Sequence, residues 1–324
     1  MAGAPMSIRT LDVITIGDLC ADLVVDLGDT PIRFGQVEQW VPDYALEMGG
    51  SCSLFACQAA KLGLRTGLLG RVGEDALGQL VLQRLRAAGV DTRHVTVDPA
   101  LKTGLGLHLS QRGGDRATGG AAGGDRASLT VAGALNAIYP ADISDDWLAT
   151  ARHLHYGSPF LQTNLAPALG DILRRARALG LSVSLDPNWD PTERWDGGLL
   201  DALTHVDLLL LNEQEACALA RQSDVDAALA ALCVRVPLVA VKRGAAGALV
   251  GAGERVWRVP VAPAARIVDA VGAGDAFDAG FLAGWLRGLP LAKCAALGNA
   301  CGRASTQARG GIQGQPTLAD FPSH

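Results

Sequence analysis

Gly272, Ala273 and Gly274, followed at once by Asp275, open a helical pattern that runs to Arg287. Amide N–H groups at a helix start are unpaired and point outward, and the helix dipole adds positive potential there. Such a turn suits the oxygens of a phosphate, and small residues let the phosphate come close. Asp275 in the first turn would set a carboxylate beside that phosphate. An anion hole joined to a proton acceptor is what phosphoryl transfer requires. The same residues also fit an ordinary glycine-rich turn with an acid favoured by the dipole. No G-x-x-x-x-G-K-S/T loop occurs, and no H-R-D or D-F-G motif, which excludes P-loop and protein-kinase machinery.

These residues need elements to hold them. Short apolar runs at Val13–Gly17, Thr66–Val72, His153–Gly157, Leu181–Asp186, Val206–Asn212, Leu238–Lys242 and Ala248–Val250 predict strands, several covered on both faces. Helical patterns alternate with them at Ser51–Leu62, Ala76–Ala88, Leu165–Leu179, Glu213–Arg221, Val225–Leu232, Ala273–Arg287 and Leu291–Gln307. The alternation predicts an α/β fold, a doubly wound and mostly parallel sheet. Ligands of such sheets bind beyond the carboxyl ends of the strands. Asp18, Asp186, Asn188, Asn212 and Lys242 fall there. Two stretches, about 22–48 and 101–136, break the alternation and predict strands of a small β lid. The second contains the Gly- and Ala-rich tract Gly113–Gly124, which reads as a loop.

The chain has 324 residues, 49% of them hydrophobic, a net charge of −5 and only 5% aromatic residues. It can bury a large core as one α/β unit over 11–318, after a tail at 1–10. No basic face and few stacking rings exclude a general nucleic-acid binder. Seven cysteines without C-x-x-C pairs or zinc spacing predict free thiols in a reducing cytoplasm. No signal peptide opens the chain, and no apolar run reaches the ~18 residues of a membrane span. His153 and His155 alternate on one strand and read as packing residues rather than metal ligands.

Asp269-Ala-Val-Gly-Ala-Gly-Asp275 resembles the C-terminal signature of the ribokinase-like (PfkB) carbohydrate kinases. Gly49-Gly-Ser-Cys-Ser-Leu-Phe-Ala-Cys-Gln-Ala-Ala-Lys-Leu-Gly63 and Gly70-Arg-Val-Gly-Glu-Asp-Ala-Leu-Gly78 resemble its N-terminal counterpart. Gly17–Asp22, Leu185–Asn188, Asn212-Glu-Gln-Glu215 and Val241–Gly244 follow in the family's order. The resemblance implies an ATP-dependent kinase acting on a hydroxyl of a sugar or sugar-like molecule, with Asp275 as base and Gly272–Gly274 as anion hole.

It further implies sugar contacts at Asp22, Gly50 and Ser51, with Asp18 a further candidate at the same strand end. Asn188, Lys242, Gly244, Gly247 and Asn299 align with the nucleotide side. Lys242 reads equally well as a solvated strand-end lysine. Asn212 and Glu215 would organise Mg²⁺ through water, and the same pair fits a helix capping box. Asp269, the backbone of Val271 and Gly310 match a K⁺ site of many relatives, although Ala270 and Val271 replace its usual Thr pair. Leu54 stands where the family has a sugar-binding Asn, and Gly157 where ribokinases have an acid, which argues against D-ribose itself. A homodimer through the lid is expected. A nucleoside kinase of the same fold and a non-catalytic sugar-sensing protein are the alternatives.

Overall fold

Four consecutive leucines show how the sequence builds the sheet. Leu208 and Leu210 join one buried cluster and Leu209 and Leu211 another. Successive strand residues point to opposite faces, so an unbroken apolar run is a strand covered on both sides. In the computed structural model, which describes residues 9–111, 125–195 and 198–321, that strand lies inside a large sheet.

The chain starts with β1 (Leu11–Ile16), β2 (Cys20–Gly28) and β3 (Asp43–Gly49), then α1 (Ser51–Lys61) and β4 (Thr66–Gly73). It continues through α2 (Ala76–Ala87), β5 (Asp91–Asp98), β6 (Gly104–Gln111) and β7 (Asp125–Val131). After α3 (Asp145–Leu148) come β8 (Ala151–Gly157), α4 (Leu169–Ala178), β9 (Ser182–Asp186) and α5 (Leu199–Ala202). β10 (Leu208–Asn212), α6 (Glu213–Ala220), α7 (Val225–Cys233) and β11 (Leu238–Lys242) follow. The last elements are β12 (Ala248–Ala252), β13 (Arg255–Val259), α8 (Ala273–Leu286) and α9 (Leu291–Ser305).

The nine-stranded sheet runs β13-β12-β11-β10-β9-β8-β1-β4-β5. It is parallel from β5 to β11 and ends in the antiparallel strands β12 and β13. One face packs on α4 and α7 through Ile172, Leu173, Leu229 and Leu232. The other packs on α1, α8 and α9 through Phe55, Phe281 and Leu297. A second sheet, β3-β2-β6-β7, is built from the two irregular stretches. The Gly113–Gly124 tract and residues 1–8 of the tail lie outside the described residues.

β5 and β13 were not among the expected strands. Both are edge strands with partly exposed polar residues, so neither carries the apolar run that marks a central strand. The helix expected from Leu165 is α-helical only from Leu169, because Pro167 sits in a preceding 3₁₀ turn at Ala166–Ala168. No helix among the described residues is long and apolar enough to cross a membrane.

Candidate active site

A cavity of about 970 Å³ opens at the carboxyl ends of the strands. The N-termini of α1 and α8 meet in it. Gly50, at the start of α1, has φ +87° and offers no side chain to cap the helix. Asp18, on the loop after β1, supplies the missing acceptor: its carboxylate takes the amides of Ser51 (3.0 Å) and Cys52 (2.9 Å). Burial outweighs these bonds and raises the pKa of Asp18.

Gly272 caps α8 with φ +74°. A Cβ there would stand 2.9 Å from Gly311 Cα and 3.1 Å from a methyl of Leu54, so the turn requires glycine. The amide of Ala273 is directed to the carbonyl of Ala270 (3.3 Å). The amides of Gly272, Gly274 and Asp275 have no partner among the described residues. The open donors are therefore not quite the expected Gly272–Gly274 set; Asp275 contributes its own.

Asp275 is partly buried, and its Oδ1 accepts a hydrogen bond from Ser51 Oγ. The Asn188 amide donates to Ser51 Oγ (3.0 Å) and to Ser158 Oγ (2.9 Å). An amide NH₂ can only donate, so Ser51 accepts from Asn188 and its single hydrogen is left for Asp275. This order keeps a lone pair of Asp275 in use as an acceptor. Burial raises the Asp275 pKa to about 7, with the Ser51 bond opposing and the Asp186 charge adding to the rise. Asn188, expected on the nucleotide side, thus stands beside the acid.

Lys242 lines the cavity and is not the solvated strand-end lysine of one of its two expected readings. It is partly buried, and its ammonium donates to Asp186 (2.6 Å) and Asp278 (3.1 Å). Its pKa is raised because those two charges outweigh burial. Burial alone would raise Asp186, but Lys242 holds it below the usual value; Asp278 is driven well above by burial. One proton on Asp278 therefore leaves an ionised Asp186 paired with the ammonium. Oδ1 of Asp278 is buried without a hydrogen-bond partner among the described residues. Asp186, Asp275 and Asp278 bring oxygens within 4.8 Å of one another, a spacing that suits a metal ion, but Lys242 already supplies the positive charge. The ammonium lies under the Gly272–Gly274 turn, 3.4 Å from where a Cβ on Gly274 would be. Sequence reasoning assigned Asp278 no role; its signal was its place one helical turn after Asp275.

On the β10–β13 side, Asn212 and Glu215 form a reciprocal capping box with bonds of 2.7 and 2.9 Å. Burial, aided by the Asp186 charge, raises Glu215 to about 7. Glu215 also lines the cavity. Gly244 (φ +51°) and Gly247 (φ +84°) shape the turn after β11 at the cavity wall. The Asn299 amide is bonded to the carbonyls of Val259 (3.0 Å) and Pro260 (3.4 Å), so it anchors the wall that it lines. The Asp269 carboxylate takes the amides of Val271 and Gly310, both at 3.0 Å, and ties the loop before α8 to the chain after α9.

Over β1 and β8 the cavity is roofed by the small sheet. Asp22 points down from β2 and is buried. A side chain on Gly49 would overlap its carboxyl group, and one on Gly106 would come within 2.5 Å of Oδ1. His108 of β6 brings Nε2 to 3.4 Å from that oxygen and Nδ1 to 2.9 Å from Ser128 Oγ. Nothing in the sequence tied His108 to Asp22; the parallel pairing of β2 with β6 does. His153 and His155 are buried and share Ser184 as a hydrogen-bond partner, with His155 stacked on Phe55. Both are packing residues, and burial lowers both pKa values, that of His155 to about 3.

A family model described as pfkB family carbohydrate kinase matches residues 10–318. An ATP-dependent ribose-1-phosphate kinase of Halopiger xanaduensis is 33% identical over 277 residues, 83% of each chain. A 2-dehydro-3-deoxygluconokinase of Bacillus subtilis is 30% identical, covering 97% of this chain and 96% of its own. Among solved structures, a candidate ribokinase II of E. coli in complex with ATP and Mg²⁺ is 25% identical with a TM-score of 0.79, covering 96% of this chain and 97% of its own.

Proposed function

Since the chain belongs to the pfkB family of carbohydrate kinases, phosphotransferases that act on a hydroxyl group, we propose that it moves the γ-phosphoryl group of ATP to a hydroxyl of a sugar or sugar-like small molecule. The observation that carries this reading is the meeting of the two helix starts, where Asp275 takes a bond from Ser51 beside the unpaired amides of Gly272, Gly274 and its own backbone. The hydroxyl oxygen attacks the γ-phosphorus, the bond to the β-phosphate oxygen breaks, and the proton passes to the Asp275 carboxylate. An alcohol is a far weaker acid than a carboxyl group with a pKa of about 7, so the proton moves as the new O–P bond forms. Alignment and the amides then supply much of the rate.

Asp18, Asp22, Gly50 and Ser51 belong to the acceptor side in this reading, and Asn212, Glu215, Lys242, Gly244, Gly247 and Asn299 to the nucleotide side. Lys242 acts from beneath the anion turn, and Asn299 by holding the wall. A cavity-lining Glu215 fixed by Asn212 fits Mg²⁺, a hard cation that keeps several waters. Mg²⁺ held there would neutralise phosphate charge. The Asp269 clamp orders the loop leading to Gly272; activity that rises with K⁺ over Na⁺ at constant ionic strength would add K⁺ to it.

Phe34 and Trp40 on the β2–β3 connection are 94% and 95% exposed, which supports a homodimer through the small sheet. Sedimentation as a monomer at micromolar concentration would remove that assignment. Free, mostly buried thiols support a cytoplasmic home. The test of the whole reading is ADP release across pentoses, hexoses, keto-deoxy acids, phosphosugars and nucleosides. Asp275→Asn should abolish most turnover while nucleotide affinity stays; near-normal turnover would remove Asp275 from the mechanism.

A further inference from the structure

Two left-handed residues meet across the ends of β8 and β9. Ser158 has φ +53° and Asn188 φ +50°, a backbone region that costs a residue with a side chain and that asparagine enters more readily than most. Such conformations persist where surrounding bonds over-determine them, and they cluster at functional sites. Asp186 supplies bonds of that kind here. Its carbonyl takes the Ser158 amide and its carboxylate the Asn188 backbone amide, both at 3.0 Å. The two turns bring the Asn188 side-chain nitrogen to 2.9 Å from Ser158 Oγ.

The Asn188 side-chain amide has two hydrogens, and both end on serines that serve acids. Ser51 passes its own hydrogen to Asp275, and Ser158 acts on Asp18 as a hydrogen-bond donor. An oxygen in place of that NH₂ would accept from Ser51 and compete with Asp275 for its single hydrogen. We infer that Asn188 is a positioning residue: through Ser51 it fixes the Asp275 carboxylate as an acceptor, ready for the hydroxyl of the substrate. This rests on the phosphotransfer reading and gives Asn188 a part other than the nucleotide contact that the family resemblance implies. The charged groups acting on Asp275 are Asp18 from the loop after β1, Asp186 from β9, Lys242 from β11 and Asp278 from its own helix. None of them changes in the variants below, so a moved titration reports the Ser51 bond.

The experiment follows acceptor-dependent ADP release against pH in the native chain, Asn188→Gly, Ser51→Ala and the double variant. Glycine suits the left-handed backbone at residue 188 and removes the side-chain amide. A hydrogen bond to a charged group is worth about one pH unit, so Ser51→Ala should move the kcat/KM midpoint up from about 7 by about that much. Asn188→Gly should move it by about half a unit, a loss of about threefold at about pH 6 that is recovered by about pH 9, with the KM for ATP unchanged. In the Ser51→Ala background Asn188→Gly should move nothing further. A loss equal at every pH would make Asn188 purely structural. A raised KM for ATP with an unmoved midpoint would make it a nucleotide contact, and a shift that survives in Ser51→Ala would separate it from Ser51. Each of these results overturns the inference. The carboxyl band that Asp275→Asn removes from the infrared spectrum gives the same midpoint without turnover. An absence of ADP release with every acceptor would therefore overturn the kinase reading, while the infrared midpoints still decide whether Asn188 holds Asp275.

Discussion

Replacing Asp275 with Asn should stabilise the protein, and by an amount that depends on pH. Asn keeps the shape and can still accept the Ser51 bond, so the substitution removes a titration and little else. The carboxyl group has its pKa raised from 3.8 to about 7 in the fold. Below pH 3.8 folded and unfolded chains both hold the proton and the group costs nothing. Between 3.8 and about 7 the unfolded chain releases the proton first, so stability falls as pH rises; above 7 the cost is complete. Three pK units correspond to about 4 kcal/mol, and partial exposure of the side chain reduces this to about 2 kcal/mol. For a chain of this size that is about 3 °C in Tm. Thermal melts of both proteins from pH 4 to 8 measure the difference. A gap that does not widen between pH 4 and 7 would refute the argument that burial of this carboxyl group is a standing cost.

For the native enzyme, the proposed role of Asp275 as base requires kcat/KM to climb with pH through about 7, and Glu215→Gln should keep that limb while raising the Mg²⁺ concentration needed for half activity. An unchanged Mg²⁺ profile in Glu215→Gln would leave Glu215 as a helix cap alone. Lys242→Met should destabilise by about 3–5 kcal/mol, because it strands Asp186 as a buried charge. Adding Asp186→Asn should recover part of that loss in chemical denaturation. Gly272→Ala should lower Tm and turnover together, with a cost of about 1–3 kcal/mol from an unfavourable φ and contact with Gly311.

The parallel sheet was legible because its strands are apolar runs between amphipathic helices, and the small sheet because its segments alternate loosely instead. β5 and β13 escaped because an edge strand needs only one partner and leaves polar residues in water. At the site, glycines were legible as glycines: a residue without a side chain before an acid and a helix is a local statement. Asp186, Lys242 and Asp278 were not legible as a group. They come from β9, β11 and α8, and only the sheet order brings them together. Asn299 was read by position, while its hydrogen bond to the end of β13 depends on packing that no spacing encodes.

The seat of Asp22 between Gly49 and Gly106 has a consequence for how this pocket can change. The carboxylate occupies the volume that two neighbouring strands leave by having no side chains. Any residue at either glycine evicts Asp22, although neither glycine needs to touch an acceptor. A saturation scan should therefore find all three positions equally intolerant. An evolutionary path to a new acceptor that replaces Asp22 with a larger group has space in the gap only for a side chain of similar size. The shape under the small sheet is locked by vacancies as much as by the acid, and unlocking it takes coordinated change on three strands.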